Sequence, residues 1–378
     1  MQASSLLWNL AVMDSEELFY TVALTMIPDV GPVISRNLLA YAGSAKAVFE
    51  FSKTKLEKVP GIGPLTAQRV VAFRDFQRVE KQLKFAEKAD VRILRFHQAD
   101  FPQRLKRNHD APLLLYFRGN ANLNAPRLIS IVGTRQCSEE AKLFTETFVR
   151  DLQGLNCTVV SGLAYGVDIH AHRAAVKNGI CTIGVVAHGL DKIYPSSHSK
   201  TMHDMYLNGG MLTEYPIETR PDRENFPSRN RIVAGICDAT IVVETPFKGG
   251  AMITAYLAHS YNREVFAVPG RVGDPKKEGT HFLIKKNKAA LLESVDDLLG
   301  YMGWDKQAGT VPQQLYLELT PSENILLELF EQKKKWHIDD LNAHDSITSS
   351  DLSLNLLELE MKGLIRGLPG KIYQKVDG

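Results

Sequence analysis

The residues of this sequence best suited to chemistry are glycine-rich turns set beside arginine, lysine and hydroxyl side chains, and the chemistry they suit is the grip of a phosphate. Gly133-Thr134-Arg135 offers close backbone approach, a hydroxyl and a guanidinium able to hold a phosphate through two parallel hydrogen bonds. Ser161-Gly162-Leu163-Ala164-Tyr165-Gly166 is a glycine loop that feeds a helix bearing Asp168, His170, His172 and Arg173. Unpaired N–H groups at such a helix start favour an anion. Phe226-Pro227-Ser228 leads into Arg229-Asn230-Arg231, and Phe247-Lys248-Gly249-Gly250 opens a segment that carries Thr254. Pro269-Gly270-Arg271 follows, with Lys276 and Lys277 just beyond. For the two histidines, capping and packing between elements stand beside any binding role, and Arg229 and Arg231 read equally as surface ion-pair residues.

These turns need elements that deliver them to one place. All of them but the Phe226 segment follow an apolar run, and the apolar runs of this region are 128–132, 158–160, 182–187, 239–243 and 264–268. Runs of this kind, closed by glycine, proline or a charge and followed by an amphipathic segment, predict repeated βαβ units in a doubly wound α/β sheet. Ligands of such sheets sit at the carboxyl ends of the strands, where these turns lie. Ser138 is the expected N-cap of the helix after the first strand.

The flanks read differently. Residues 1–90 are helical and contain an internal repeat, Ile27-Pro28-Asp29-Val30-Gly31-Pro32-Val33 against Val59-Pro60-Gly61-Ile62-Gly63-Pro64-Leu65. The second copy is similar to a helix-hairpin-helix turn, whose glycines let backbone N–H groups approach a DNA phosphate, with Arg69, Arg74 and Arg78 downstream. Asp29 in the first copy opposes that use, and a small helical domain serving protein contacts is the other reading. Residues 91–303 form the extended Rossmann-like region, its start holding two short strands around 93–96 and 113–119 that could extend the sheet edge. A linker is expected over 304–314. Residues 315–378 read as a winged helix: helices over 322–332, 337–343 and 349–361, then a β-hairpin at 364–373. Its third helix carries Asp351, Glu358 and Glu360 and no basic residue before Lys362, so phosphates would repel it. A protein-interaction or regulatory role fits that domain better.

Composition narrows the classes. With 378 residues and 44% hydrophobic content the chain suits two or three packed domains. Its formal net charge of +2 leaves any basic site to be found by position. The cysteines Cys137, Cys157, Cys181 and Cys237 form no metal pattern and fit a reduced, cytoplasmic protein. No stretch is apolar enough to span a bilayer, and residues 1–10 lack the marks of an export signal. There is no G-x-x-x-x-G-K-[ST], no complete G-x-G-x-x-G after the first strand and no nucleophile elbow, so neither ATP hydrolysis, a dinucleotide cofactor nor serine catalysis is supported.

Taken in order, Gly133-Thr134-Arg135, Ser161 through Asp168 with His170-Ala171-His172, Gly189-Leu190-Asp191 with Tyr194-Pro195, Glu214-Tyr215-Pro216, Phe226-Pro227 with Arg229-Asn230-Arg231, Gly250 with Ile253-Thr254-Ala255, and Pro269-Gly270 resemble the DNA-processing protein A (Smf) family. The match covers residues 128–292, and the flanking domains fit the family's three-part organisation. The resemblance implies a protein without catalytic activity, metal or cofactor. It implies that single-stranded DNA is bound and protected during natural transformation, that the RecA recombinase is loaded onto it, and that the chain forms a homodimer through the Rossmann-like domain, away from any membrane. Carried onto this sequence, it implies a DNA pocket of the Gly133-Thr134-Arg135 turn, the Ser161 to Gly166 loop, Arg229 and Arg231; with the basic and glycine-rich turns read above, the expected DNA-binding residues are Gly133, Thr134, Arg135, Ser161, Gly162, Gly166, Arg229, Asn230, Arg231, Lys248, Gly249, Gly250 and Thr254. Gly249 stands where the family usually has a serine, and His281 where it usually has an asparagine.

Two other functions compete. Glu244 with Gly249-Gly250 and Thr254 also looks like the nucleotide-binding turn of Rossmann-like phosphoribohydrolases, which would make Glu244 an acid in a hydrolytic site with Arg135 on the phosphate. A duplex-binding transcription regulator would use the winged helix, against the acidity of its third helix. Single-stranded DNA needs phosphate contacts and stacking surfaces together. Tyr165 and Phe226 are candidates for stacking, with core packing the plainer role for either.

Overall fold

The computed structural model describes residues 2–305, 320–333, 335–344, 349–361, 364–368 and 370–375. Its contacts divide the chain into two compact units, residues 1–307 and 308–378.

The first unit is built on a nine-stranded sheet. Its strands are β1 (Arg92–Arg95), β2 (Leu114–Gly119), β3 (Arg127–Val132), β4 (Cys157–Ser161), β5 (Thr182–Val185), β6 (Gly209–Thr213), β7 (Ala239–Val242), β8 (Glu264–Ala267) and β9 (Ala290–Leu291). They lie in the order β1-β2-β6-β5-β4-β3-β7-β8-β9, and from β6 to β9 every neighbouring pair is parallel. The chain therefore winds outward from β3 to β6, returns across the sheet, and winds the other way from β7. That reversal puts β3 beside β7, with Ile129 opposite Ala239 and Val132 opposite Val242. A doubly wound sheet opens a crevice at this switch point, beyond the carboxyl ends of the two strands.

Both faces of the sheet are covered, which is why its strands read as continuous apolar runs. Leu128 and Val132 point to one core with Ile232, Val233 and Met252 from the helices Asn225–Ile236 and Gly250–Ser260. Ile129 and Ile131 point to the other, against Phe148 and Val149 of Glu139–Asp151 and Ala171 of Val167–Lys177. Ser130, on an otherwise apolar strand, pairs its hydroxyl with Thr240 at 2.8 Å. The edge strands β1 and β2 run antiparallel, as expected of an extension of the sheet edge.

The amino-terminal helices lie on that edge. Pro32–Ala42 and Pro64–Ala72 each begin with proline at their first turn after an extended glycine, Gly31 or Gly63, so the sequence repeat is a repeat of structure. Their core, with Val48, Leu56 and Val70, runs on to Leu114 and Tyr116 of β2. The acidic residue of the first copy meets the basic one of the second: Asp29 pairs with Arg69. Arg74 turns its Nη1 back to the carbonyls of Val71 and Phe73, at 2.8 and 2.7 Å. Two of the three arginines expected to serve a phosphate are thus engaged within the domain.

The second unit has helices Pro321–Gln332, Ile338–Asn342 and Ser349–Met361 around Leu326, Phe330, Leu341, Leu352, Leu356 and Leu359. Its sheet has one strand more than the expected hairpin: β10 (Lys335–His337) pairs with β12 (Ile372–Lys375), which pairs with β11 (Ile365–Leu368). Most of the linker expected over 304–314, from residue 306 on, lies outside the described residues, as does Lys362.

Candidate nucleic-acid interface

The crevice at the β3/β7 switch point is a groove of about 850 Å³. Its floor is made by the turns after β3 and β4 and by the start of the helix Gly250–Ser260; Arg135, Arg223, Phe226, Asn230 and Tyr194 stand along its walls.

Glu244, directly past β7, shapes the first turn. Its backbone carbonyl accepts from Thr134 N at 2.7 Å, and its carboxylate accepts from Ser138 N at 2.8 Å and Ser138 Oγ at 2.6 Å. Ser138 also caps its own helix, its oxygen accepting from Ala141 N at 3.1 Å. The turn is closed from the other side by Gly166. With φ of +74° it sits where side chains are strained, and a Cβ there would lie 2.1 Å from Thr134 O. Arg135 is thereby presented outward. Its guanidinium lies 5.0 Å from the Phe226 ring centroid, and among the described residues it has no carboxylate partner. Glu244 itself is fully buried, has both oxygens engaged by Ser138 and is not among the residues lining the groove.

Truncating Glu244 to alanine leaves a buried N–H without its acceptor and removes the partner of a hydroxyl, each costing on the order of 1–3 kcal/mol. We expect Glu244→Ala to lower stability by about 2–4 kcal/mol in urea unfolding while Glu244→Gln, which keeps one acceptor, costs less than half as much.

The second turn is held from below. Asp168 is buried, and its Oδ2 accepts from Gly162 N at 3.1 Å and Ala164 N at 3.4 Å. Burial raises its carboxyl above the usual range, against the opposing pull of the Arg229 guanidinium. Arg229 donates from Nη1 to Gly162 O at 2.6 Å and to Val185 O, and from Nε to Asn230 Oδ1 at 3.1 Å. Being 4% exposed, it is no surface cation. It ties β4, β5 and the helix Asn225–Ile236 together beneath the groove and touches the groove wall through Phe226, 5.8 Å away.

Arg231, two residues on, projects elsewhere. It is buried with Glu214 as its ion-pair partner and donates to Asp110 O at 2.6 Å, outside the groove lining. The expectation that both arginines face one ligand is thus corrected for Arg231, which is remote from the turns; Arg229 lines the groove, with its guanidinium donors engaged by protein acceptors. Ser161 is likewise internal, donating to Ile131 O at 2.6 Å. Gly133, Thr134, Arg135, Gly162, Arg229, Asn230, Gly249, Gly250 and Thr254 do line the groove; Lys248 is exposed just outside its lining. His170 pairs with Glu146 at 2.9 Å and His172 with Thr182 Oγ1 at 2.7 Å, which are the packing roles. His281 closes the turn after β8 through Gly270 O, at 3.0 Å. Buried Lys277 reaches Val243 O at 3.0 Å instead of the groove.

The helix Gly250–Ser260 begins at Gly249 without a side-chain cap, so its first N–H groups and the positive end of its dipole face the groove. Phe226 and Tyr194 stand 6.2 Å apart on the wall; neither Phe226 nor Tyr165 is a core residue, Tyr165 being 49% exposed. Arg223 and Tyr194 were missed as binding candidates by sequence reasoning. The only signal for Arg223 was a basic side chain among Pro221, Asp222 and Glu224, a composition that reads as a solvated loop.

No helix among the described residues is long and apolar enough to cross a membrane, and among them no group of histidine, cysteine and carboxylate residues is arranged to hold a metal.

Comparison with known proteins agrees with this architecture. Residues 92–303 match the sequence model of the family described as DNA recombination-mediator protein A, residues 22–74 that of a SAM-like helix-hairpin-helix tandem, and residues 311–371 that of the DprA winged helix domain. Protein Smf of Synechocystis is 29% identical over 96% of this chain and 100% of its own length. The structure of DNA processing protein A from Streptococcus pneumoniae superposes with a TM-score of 0.63 at 30% identity, covering 74% of this chain and 95% of that one. DNA processing protein A from Helicobacter pylori, solved for its single-stranded DNA binding mode, superposes with a TM-score of 0.50 at 30% identity, covering 55% and 98%. The chain belongs to the DNA recombination-mediator protein A family, the family of DNA-processing protein A and Smf.

Proposed function

We propose that the chain binds single-stranded DNA in the switch-point groove, shields it as it arrives during natural transformation, and passes it to the RecA recombinase, acting in the cytoplasm as a homodimer formed through its Rossmann-like domain and catalysing no covalent step. The observation that carries this reading is the exposed Arg135 guanidinium at the rim of a groove that also offers Arg223, an uncapped helix start and the Phe226 and Tyr194 rings. Cations and N–H groups hold phosphates, while the rings offer stacking faces that only unpaired bases can reach. Arg229, at the groove's lining with its donors already engaged by protein acceptors, supports the two turns. We assign residues 1–90 to the helical domain, 91–303 to the DNA-binding domain, 304–314 to the linker and 315–378 to the winged helix.

Fluorescence anisotropy with a labelled oligonucleotide tests the reading. Single strands are expected to bind more tightly than duplex, with affinity falling as salt rises. Arg135→Ala should weaken the single strand at least tenfold and reduce the slope of log K against log salt by about 0.7, the share of one phosphate contact. Equal affinity in wild type and Arg135→Ala would remove the groove from the mechanism. Release of free base from a nucleoside monophosphate by the wild-type protein would favour the hydrolase. For the finer steps, RecA assembly on a coated single strand should be accelerated by wild type and not by Arg135→Ala, and sedimentation should give a dimer.

A further inference from the structure

A second concave surface lies at the opposite rim of the sheet, where β7 and β8 begin. It has a volume of about 460 Å³ and is lined by Arg107, Asn108, His109, Tyr261, Asn262 and Arg263, among others. Arg263 directly precedes β8, so a full strand length separates this site from the turns beyond the carboxyl ends.

The concavity holds more positive charge than the protein neutralises. Asp238 is the carboxylate that acts on Arg263, and both its oxygens are already taken: Oδ1 by Arg104 Nε at 2.5 Å, Oδ2 by Leu128 N at 2.9 Å. Asp110, the next acid, accepts from the Tyr261 hydroxyl through Oδ2 at 2.6 Å; its Oδ1 is buried without a partner, and Asp110 is not part of the lining. Arg107 is exposed and has no side-chain partner among the described residues. Arg263 donates from Nη2 to Arg104 O at 2.8 Å, yet its buried Nε finds no acceptor, nor does the buried Nδ2 of Asn108. Burial holds the Arg263 guanidinium below its usual basicity; Asp238 opposes this, and the charges of Arg104 and Arg107 add to it. Clusters with surplus donors and cations are stabilised by an anion. Beside them the rings of exposed His109 and half-buried Tyr261 lie 6.1 Å apart, tilted at 58°, an apolar edge next to a cationic one.

We propose that this amino-end concavity is a second nucleotide site, in which Arg107 and Arg263 take a phosphate and the His109 and Tyr261 rings take the base. The nucleotide is either free or one unit of a strand whose other part occupies the groove. Its chemistry is the same in both cases, and the two sources separate by length of ligand.

The test uses the full chain and four variants: Arg107→Glu, His109→Ala, Arg135→Ala and Arg135→Ala with Arg107→Glu. Arg107 and His109 are exposed, so these changes leave the fold intact, and Lys84→Glu, far in sequence on an exposed helix position, controls for net charge. Ligands are a deoxynucleoside monophosphate, an oligonucleotide of about 6 nucleotides that one site can hold, and one of about 40 that can reach both. If the site holds part of a strand, Arg107→Glu and His109→Ala each weaken the long oligonucleotide about tenfold and leave the short one unchanged. If it holds a free nucleotide, calorimetry detects the monophosphate on Arg135→Ala and loses it when Arg107→Glu is added. Unchanged binding of all three ligands in Arg107→Glu overturns the proposal, as does a loss that Lys84→Glu reproduces. Loss of the short oligonucleotide in Arg135→Ala alone reports on the groove, so the two readings fail separately.

Discussion

Replacing Arg229 by methionine is expected to destabilise the first unit by about 3–5 kcal/mol and to abolish single-strand binding, even though the guanidinium is buried and engaged by backbone carbonyls. Methionine keeps the volume and apolar stem but removes the donors to Gly162 O, Val185 O and Asn230 Oδ1. It also removes the cation that offsets the burial of Asp168, whose carboxylate would keep its donors from Gly162 N, Ala164 N and the Ser161 hydroxyl. Removing a cation that acts on a buried carboxylate leaves that charge less compensated, which is the costly direction. Lysine should not rescue the loss, because one ammonium on a longer stem cannot reach two carbonyls and an amide in the planar fork geometry. Urea unfolding of Arg229→Met, Asp168→Asn and the double variant gives the decisive reading. If the two residues stabilise one turn together, the double variant loses less than the sum of the single losses by at least about 1 kcal/mol. Strict additivity would mean that Arg229 supports the groove through its Gly162, Val185 and Asn230 acceptors independently of Asp168.

What the sequence disclosed and what it hid follow from the same physics. The central strands were legible because burial on both faces demands apolar side chains at every position, so 128–132, 239–243 and 264–268 stand out from their surroundings. β6 was not read as a strand, because it starts with Gly209-Gly210, a pair that signals a turn. In the sheet that glycine pair admits the neighbouring strand: a Cβ on Gly210 would lie 2.4 Å from Arg118 O. β10 was hidden by brevity, since Lys335–His337 has three residues, and His337 was read as helix where its Nδ1 in fact accepts from Asp339 N at the helix start. The groove glycines and Arg135 were legible because turn and charge lie in one short motif. The fates of Arg229 and Arg231 were not. Residue type gives charge, and only the packing of their helix on the sheet decides that one reaches under β4 and β5 while the other pairs with Glu214.

Mild acid should unfold this protein through its histidines before its ion pairs fail. His172 is fully buried, and burial, with the nearby charges of His198 and Arg229, pushes its imidazole down to about 3. The Thr182 hydroxyl donates to Val159 O at 3.0 Å and so accepts from His172 Nδ1–H, which fixes the neutral tautomer. His188 and His198 are also buried and lowered chiefly by burial, their Nδ1 atoms meeting Gly189 O and Leu163 O, both at 2.9 Å. A base whose folded value lies below its unfolded value of about 6.5 costs nothing above that pH, where both states are neutral. As pH falls below 6.5 the unfolded chain takes up protons that the fold refuses, and stability drops by up to about 1.4 kcal/mol per pH unit for each such histidine. For His172 the loss runs from pH 6.5 down to about 3. Asp168 and Glu214, both raised by burial, act in the opposite sense, since protonation relieves their buried charge. They soften the slope between their unfolded and folded values. The urea midpoint should therefore fall steadily from pH 7 to pH 5. In His172→Gln, whose amide keeps a donor for Thr182 but cannot titrate, the slope should flatten by the equivalent of about one proton. An identical slope in wild type and His172→Gln would show that this histidine charges without unfolding the protein, and would place water where the fold now has a sealed core.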